Sequence, residues 1–295
     1  APHPIARGLN TGRVGAIGLL LPQDLSTDFD NPFYVQLLRG IGHVCDEHAL
    51  NLMMLAPVGG SMREAVDRAV VDGLVVIGLE ADDPLVELLS KRAVPFVMLD
   101  TLAEGVPSVS VDDFGGAEEA MRHVMDLGHR QVGIVAFESS RQGHWQEYTG
   151  TLRRRMDGYL RALAAAGLPT VDVPFCEVEN STEGGELALR TLLSQTPGIT
   201  AVLAMSDVIA LGILQAAADM GVAVPEGLSV VGYDDVPEAE HSRPPLTSVH
   251  QPIVEKGEAA AEALVSMLTR QQPVSTTLPT HLVVRGSTGP APRFP

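Results

Sequence analysis

Two pairs of adjacent carboxylates stand directly after apolar stretches of the sequence. Asp112-Asp113 follows the stretch 108–111, and Asp234-Asp235 follows the stretch 229–233. Paired carboxylates can act as general acid and base or hold Mg²⁺, but after a strand they also cap the next helix or turn. We interpret Asp112-Asp113 as caps. Asp234 ends a strongly apolar stretch, where parallel sheets bind ligands, so it is predicted to contact a ligand.

Three arginines, Arg153-Arg154-Arg155, stand at the start of the helical pattern 151–166. Such a run is usually solvated. A cation is nevertheless disfavoured at a helix N-terminus, so Arg155 invites a partner such as a carboxyl group or a sugar hydroxyl, which suit its planar fork. The aromatic pair Phe33-Tyr34 also has two interpretations, helix core or the wall of a ligand site, and one ring can serve each.

Motifs for common catalytic chemistry are missing from the sequence. It contains no Gly-x-x-x-x-Gly-Lys-Ser/Thr loop, no Gly-x-Gly-x-x-Gly after the first strand and no Gly-x-Ser-x-Gly elbow. His43 and His48 are not spaced for one helix face, and Cys45 and Cys176 form no closely spaced pair. We therefore predict no enzyme activity, no cofactor and no metal site.

The composition limits the partners of the protein. The 295 residues include 20 Lys+Arg against 37 Asp+Glu, a net charge of −17. Such an acidic surface repels phosphates, so any DNA-binding part must be basic and lie elsewhere. No apolar run approaches the roughly 18 residues that span a bilayer, and residues 1–13 lack the apolar segment of a signal peptide. The cytoplasm is the expected location, with a mature exported protein left open.

Hydrophobic periodicity predicts alternating strands and helices along the whole chain. Continuous apolar runs predict strands at 14–21, 51–56, 73–77, 95–99, 108–111, 131–137, 175–178, 201–205 and 229–233, with short extended pieces at 274–278 and 281–284. Amphipathic patterns predict helices at 33–48, 62–71, 84–91, 115–127, 151–166, 183–194, 207–220 and 253–268. This alternation predicts an α/β fold with two doubly wound parallel-sheet lobes, a break near Ser139 and a ligand cleft between the lobes.

Several motifs, taken in order, resemble the effector-binding core of the lactose-repressor/galactose-repressor (LacI/GalR) family of bacterial transcription regulators, which has a periplasmic-binding-protein type I fold. They are the hinge-like segment 5–13 and the sequences Asn31-Pro32-Phe33-Tyr34, Leu127-Gly128-His129-Arg130, Arg155-Met156-Asp157-Gly158-Tyr159, Ser229-Val230-Val231-Gly232-Tyr233-Asp234-Asp235, Pro244-Pro245-Leu246-Thr247-Ser248-Val249 and Leu282-Val283-Val284-Arg285. Each motif is modest evidence alone, but their order and spacing together are specific.

The resemblance implies a repressor core that binds a small effector, expected to be a sugar, and forms a homodimer. It implies a hinge remnant at 1–13, an N-terminal lobe of 14–138 plus 252–279 and a C-terminal lobe of 139–251 plus 280–295. Operator DNA would be bound by a helix-turn-helix domain ahead of the hinge, which we expect to lie outside this sequence. In the hinge, Arg7 and Leu9 are expected to meet DNA, Leu9 as a wedge in the minor groove.

The resemblance also assigns ligand contacts residue by residue. Asn31, Phe33, Asp100, Arg155, Ser206, Asp234 and Gln251 match positions that meet the ligand in relatives, and Asn180 stands where relatives often carry a stacking aromatic residue. We hypothesise that Trp145 or Phe29 supplies the aromatic face instead. Sugar rings stack their C–H faces on aromatic rings, while carboxylates and arginine take the hydroxyls.

Two other function classes compete with the regulator. An exported sugar-binding protein of an ABC transporter would share the two-lobed architecture, and an enzyme can use the same α/β scaffold because fold alone does not establish function. The hinge-like segment favours the regulator. Its expected mechanism is a population shift, in which the effector favours one conformation by its differential affinity.

Overall fold

The computed structural model describes residues 13–92, 94–102, 104–138 and 145–292. The chain forms two compact units. Unit 1 comprises the described residues up to Asp30 together with Tyr34–Val111 and Pro252–Leu278, and unit 2 comprises Asn31–Phe33, Asp112–Gln251 and the described residues from Pro279 onward. The expected DNA-hinge residues Arg7 and Leu9 lie outside the described residues.

Unit 1 is built on a sheet of six strands in the order β11-β5-β4-β3-β1-β2, and all of its strand pairs are parallel. The strands are β1 (Ala16–Leu20), β2 (Asn51–Leu55), β3 (Gly73–Ile77), β4 (Phe96–Leu99), β5 (Ser108–Val111) and β11 (Thr276–Leu278). The helices are α1 (Leu25–Asp30), α2 (Pro32–Glu47), α3 (Met62–Arg68), α4 (Pro84–Lys91) and α10 (Ile253–Leu268). The inner strands β1, β3, β4 and β5 are buried at every residue, as continuous apolar runs predict.

Unit 2 contains a second sheet of six strands in the order β12-β10-β9-β8-β6-β7, parallel except for the antiparallel pair β10–β12. The strands are β6 (Val132–Phe137), β7 (Phe175–Val178), β8 (Ala201–Ala204), β9 (Ser229–Asp234), β10 (Thr247–His250) and β12 (His281–Val283). The helices are α5 (Asp113–Asp126), α6 (Gly150–Ala165), α7 (Thr182–Gln195), α8 (Asp207–Asp219) and α9 (Pro237–His241).

Side chains alternate across the strands of unit 2 and build two cores. On one face, Ile134 and Leu203 pack with residues of α5 and α6. On the other face, Val135 and Val202 pack with residues of α7 and α8. The sheet is therefore covered by helices on both sides, so its ligand-accessible positions are the ends of its strands.

Several helices begin at a residue whose side chain accepts a hydrogen bond from a backbone N–H of the first turn. Ser61, Asp83, Asp112 and Ser181 do so in front of α3, α4, α5 and α7. This bond satisfies a donor that has no partner within the helix. Across the described residues, every helix is too short or too polar to cross a bilayer.

The predicted fold class, an α/β protein with two mostly parallel sheets, is confirmed. The position of the break differs from the expectation. Strand β6 lies inside the second sheet, and unit 2 takes in the chain from Asp112 onward, well before Ser139. Both sheets produce the same strand–helix alternation, so the pattern does not reveal which sheet a strand joins. The short helices α1 and α9 were also missed, because they are too short to show a helical period.

Candidate functional site

Arg155 lies in the interior of unit 2, where only 4 % of the residue is exposed. Its Nε donates a hydrogen bond to Asp113 Oδ1 at 2.9 Å, and one terminal nitrogen donates to the carbonyl oxygen of Met205. The guanidinium carbon lies 3.5 Å from the centroid of the Tyr233 ring, a cation–π contact. Burial alone would lower the pKa of Arg155, but the charges of Asp113 and Asp234 and the hydrogen bond with Asp113 outweigh it and raise the pKa. The guanidinium is therefore a fixed cation.

Asp113 is the buried anion that the arginine run required. It is fully buried, and its second oxygen accepts hydrogen bonds from Arg154 Nε at 3.0 Å and from the Arg154 NH2 nitrogen at 2.7 Å. Its neighbour Asp112 caps α5 by accepting from the backbone N–H of Gly115 at 2.9 Å. Capping is thus confirmed for Asp112, whereas for Asp113 it is wrong. Arginines are unfavourable near the start of a helix such as α6, and this was the sequence signal that a buried anion such as Asp113 must compensate them.

Asp234 ends β9 with a backbone φ of +129°. A non-glycine residue in this region stores about 1–3 kcal/mol of strain, which the surrounding structure must hold. Gln251 helps to hold this conformation, because its Nε2 donates a hydrogen bond to Asp234 Oδ1 at 2.5 Å. The backbone N–H of Asp207, the first residue of α8, donates to Asp234 Oδ2 at 3.4 Å. Because a helix N-terminus favours anions, this position suits a carboxylate.

Asp207 fixes the chain segment that follows Asp234. It is fully buried and accepts hydrogen bonds from Ser248 Oγ at 2.5 Å and from the Val236 backbone N–H at 2.9 Å. Burial and the neighbouring Asp234 carboxylate raise the pKa of Asp207 above its ordinary value. A Cβ atom at Gly232 would lie 2.1 Å from Asp207 Oδ1, so only glycine fits there. Asp207 and Gly232 are not among the predicted site residues, because their roles depend on contacts between distant parts of the chain.

Ser206 and Asn180 add a polar pair to the same end of the sheet. Ser206 follows β8, Asn180 follows β7, and the Ser206 hydroxyl donates to Asn180 Oδ1 at 2.6 Å. Since β7, β8, β9 and β10 are parallel, their carboxyl ends lie at one edge. Five predicted residues thus belong to one edge region of unit 2: Asn180, Ser206, Asp234 and Gln251 at the strand ends, and Arg155 through its bond to Met205. We call this set the unit 2 polar cluster.

Asn31 directly precedes α2, Phe33 lies in its first turn, and both residues are buried. The Asn31 side chain accepts a hydrogen bond from the Phe33 backbone N–H at 3.0 Å, which is the geometry of a helix cap. The structure therefore gives Asn31 a local structural role. A contact of either residue with a ligand stays a prediction.

Asp100 follows β4 in unit 1, with a backbone φ of +62°. Both of its carboxylate oxygens accept hydrogen bonds from Lys256 Nζ, at 2.9 and 3.0 Å. Lys256 is fully buried in the first turns of α10. The expected ligand contact thus belongs to a buried ion pair, and its role toward a ligand stays a prediction.

Trp145 opens a single 3₁₀ turn, Trp145–Glu147. Its partly buried ring packs against the core cluster that contains Tyr148 and Leu152. Phe29, the alternative aromatic residue, lies on α1 of unit 1 and is 49 % exposed. Neither position decides which ring faces a ligand, so both stay predictions.

Comparison with known proteins places the chain among regulators. Residues 121–288 match the family described as periplasmic binding protein-like domain. The HTH-type transcriptional regulator CelR of Thermobifida fusca is 33 % identical over 97 % of this chain and 85 % of the relative. A solved complex of the transcriptional regulator CelR with cellobiose has a TM-score of 0.82 at 31 % identity and covers 95 % of this chain and 88 % of its own. A LacI family transcriptional regulator from Enterococcus faecium with bound ribose has a TM-score of 0.80 at 28 % identity. The match covers 93 % of this chain and 99 % of the Enterococcus chain.

Proposed function

We propose a function for this protein on the basis of its family. The chain belongs to the LacI family of transcriptional regulators. The protein is a regulator whose periplasmic-binding-protein-like core responds to a small effector. The effector is a sugar, and the unit 2 polar cluster binds it. Two similar regulators hold cellobiose and ribose, and this supports a sugar here.

The observation that carries this proposal is the unused donor capacity of Arg155. A guanidinium has five N–H groups. One of them bonds Asp113 and one bonds the Met205 carbonyl, while the NH2 nitrogen makes no hydrogen bond with the described part of the chain. Arg155 keeps 4 % of its surface exposed, and its NH2 nitrogen is not among the fully buried polar atoms without a partner, so these N–H groups are open to a ligand. A sugar hydroxyl accepts from Arg155 and donates to the Asp234 carboxylate, and the cluster supplies both kinds of group.

The remaining predicted contacts complete the proposal. Asn31 and Phe33 contribute contacts near the start of α2. The hydroxyl of Ser206 and the amide of Asn180 offer further hydrogen bonds. An aromatic face comes from Trp145, which retains an exposed part.

Membership in this family also suggests the partners of the protein and its location. We propose a homodimer that binds operator DNA, acts as a repressor and works in the cytoplasm. Effector binding changes the affinity for DNA by shifting the population of conformations, with a coupling of about 1–3 kcal/mol. The similar proteins are transcriptional regulators, which favours this function over an exported sugar-binding protein or an enzyme.

Thermal denaturation with a panel of compounds tests the effector class. The panel contains cellobiose, ribose, other mono- and disaccharides, nucleosides and amino acids. A ligand that binds only the folded state stabilises it by about 2.7 kcal/mol at 100 times its Kd, which corresponds to a rise in Tm of roughly 5–10 °C. At least one sugar is expected to give a saturable rise of this size.

Glycerol at matched concentration is the control, because excluded polyols stabilise any protein without saturation. A saturable rise with a nucleoside or amino acid and with no sugar would show that the effector class is wrong. No saturable rise with any compound would count against small-molecule binding by this core.

Replacing Trp145 with alanine tests the aromatic face. If the ring stacks on the sugar, affinity falls roughly 2- to 12-fold, the equivalent of about 0.5–1.5 kcal/mol for an aromatic contact. Isothermal titration with the sugar found in the panel measures this change, and Phe29→Ala is the comparison variant. Unchanged affinity in Trp145→Ala contradicts the hypothesis, and a loss only in Phe29→Ala assigns the face to Phe29.

A further inference from the structure

Two histidines that are distant in sequence lie side by side in unit 2. His250 ends β10 and His281 begins β12, and the antiparallel register pairs them directly. Directly paired residues of antiparallel strands project their side chains to the same face of the sheet. The two ring centroids are 4.9 Å apart, and the ring planes are tilted by 44°. Both rings reach solvent, His250 with 36 % of its side chain exposed.

A carboxylate holds the His250 ring in one tautomer. His250 Nδ1 lies 2.9 Å from Asp235 Oδ2, and the other oxygen of Asp235 accepts a hydrogen bond from Arg285 at 2.6 Å. Because an ionised carboxylate only accepts hydrogen bonds, Nδ1 of His250 must donate. The lone pair of Nε2 is then left for another partner. Histidines that bind metals usually donate their second ring N–H to a carboxylate or carbonyl in this way.

The spacing of the two rings suits a shared metal ion. Zn–N bonds measure about 2.0–2.1 Å, so two imidazoles bound to one tetrahedral Zn²⁺ have their centroids roughly 5 Å apart. The observed 4.9 Å agrees with this value. His281 is exposed, so its ring can rotate to direct a nitrogen toward the ion at little cost. A site of two imidazoles favours late first-row divalent metals over Mg²⁺ or Ca²⁺, which prefer oxygen ligands.

We propose that His250 and His281 bind a divalent late transition-metal ion such as Zn²⁺, with water completing its coordination. Asp235 is a positioning residue that orients His250. The ion links β10 to β12 next to Gln251, at the edge that carries the unit 2 polar cluster. The proposal does not depend on the identity of the effector, because it rests on the two strands alone.

Titration with ZnCl₂ in a buffer that does not bind metals tests the site. A competing chromophoric chelator reports the affinity of the full chain. Wild-type protein is expected to bind Zn²⁺ at a saturable site with micromolar Kd, and His281→Ala and His281→Asn each weaken that binding at least tenfold. Two variants are used so that a folding defect in one does not decide the result. Equal affinity in the wild type and both His281 variants overturns the proposal.

Matched controls separate this pair from other surface ligands. His241→Ala removes an exposed histidine of the same unit and is expected to leave the affinity unchanged. Glu47, His48 and Glu262 of unit 1 also place ligand atoms within 4.8 Å of one another, so all titrations are repeated in a His48→Ala background. Long-range ¹H–¹⁵N spectra of the histidine rings give an independent readout. Zn²⁺ is expected to shift the ring nitrogens of His250 and His281 together, and unshifted signals overturn the proposal.

Discussion

Replacing Arg155 with lysine is expected to weaken sugar binding about 10- to 150-fold. Hydrogen bonds to a charged group contribute about 1.5–3 kcal/mol, and an ammonium group cannot bond Asp113, the Met205 carbonyl and the sugar in the fixed plane that the guanidinium offers. The charge is retained, so the change reports geometry rather than the loss of a cation. Isothermal titration with the sugar that stabilises the wild type measures the effect.

Arg153→Lys is the matched control for this experiment. Arg153 belongs to the same arginine run but is 45 % exposed and pairs with Asp157 on the helix surface. Exposed pairs of this kind contribute little, so its replacement is expected to leave both stability and sugar affinity nearly unchanged. If Arg155→Lys binds the sugar as tightly as Arg153→Lys does, Arg155 does not contact the effector.

Asp113→Asn is expected to cost about 3–5 kcal/mol of folding free energy, since removing one partner of a buried ion pair leaves an uncompensated buried charge. The neutral amide also presents N–H donors that cannot accept from Arg154 or Arg155. Urea unfolding followed by circular dichroism measures the loss.

Asp112→Asn changes the neighbouring residue in the same way and provides the comparison. Asn and Asp are nearly equivalent as helix N-caps, so this variant is expected to lose no more than about 0.5 kcal/mol. If the two variants unfolded at similar urea concentrations, the Asp113 carboxylate would not be the group that compensates the buried charge of Arg155. Restoration of the Asp113→Asn loss by a second substitution that removes the Arg155 charge would confirm the pairing.

Binding of a sugar and binding of a metal are separable in these experiments. The sugar prediction depends on Arg155 and its donors, whereas the metal prediction depends on two rings on β10 and β12. His281 has no part in the unit 2 polar cluster. A His281 variant that loses Zn²⁺ but retains the sugar would therefore support both proposals independently.

Local signals in the sequence determined most of the secondary structure. The predicted elements 73–77, 84–91, 108–111, 175–178 and 253–268 have the observed bounds. Continuous apolar runs can only be strands buried on both faces or buried helices, and the flanking turn residues decide between them. Capping by Asp112 was also predictable, because a cap acts on backbone groups three residues away. The local sequence also pointed to Arg155 and Asp234, and the resemblance to a family added Gln251. The structure brings all three into one region.

Tertiary structure alone decided how distant residues meet. Arg155 and its anion Asp113 are 42 residues apart, and Lys256 and Asp100 are 156 apart. His250 meets His281 only because β12 joins β10 in antiparallel register. Periodicity and capping are encoded between neighbours in sequence, so they are readable without the fold. The partners of a buried charge depend on strand order and register, which are set by packing of the whole unit, and for that reason the site's ion pairs appeared only in the structure.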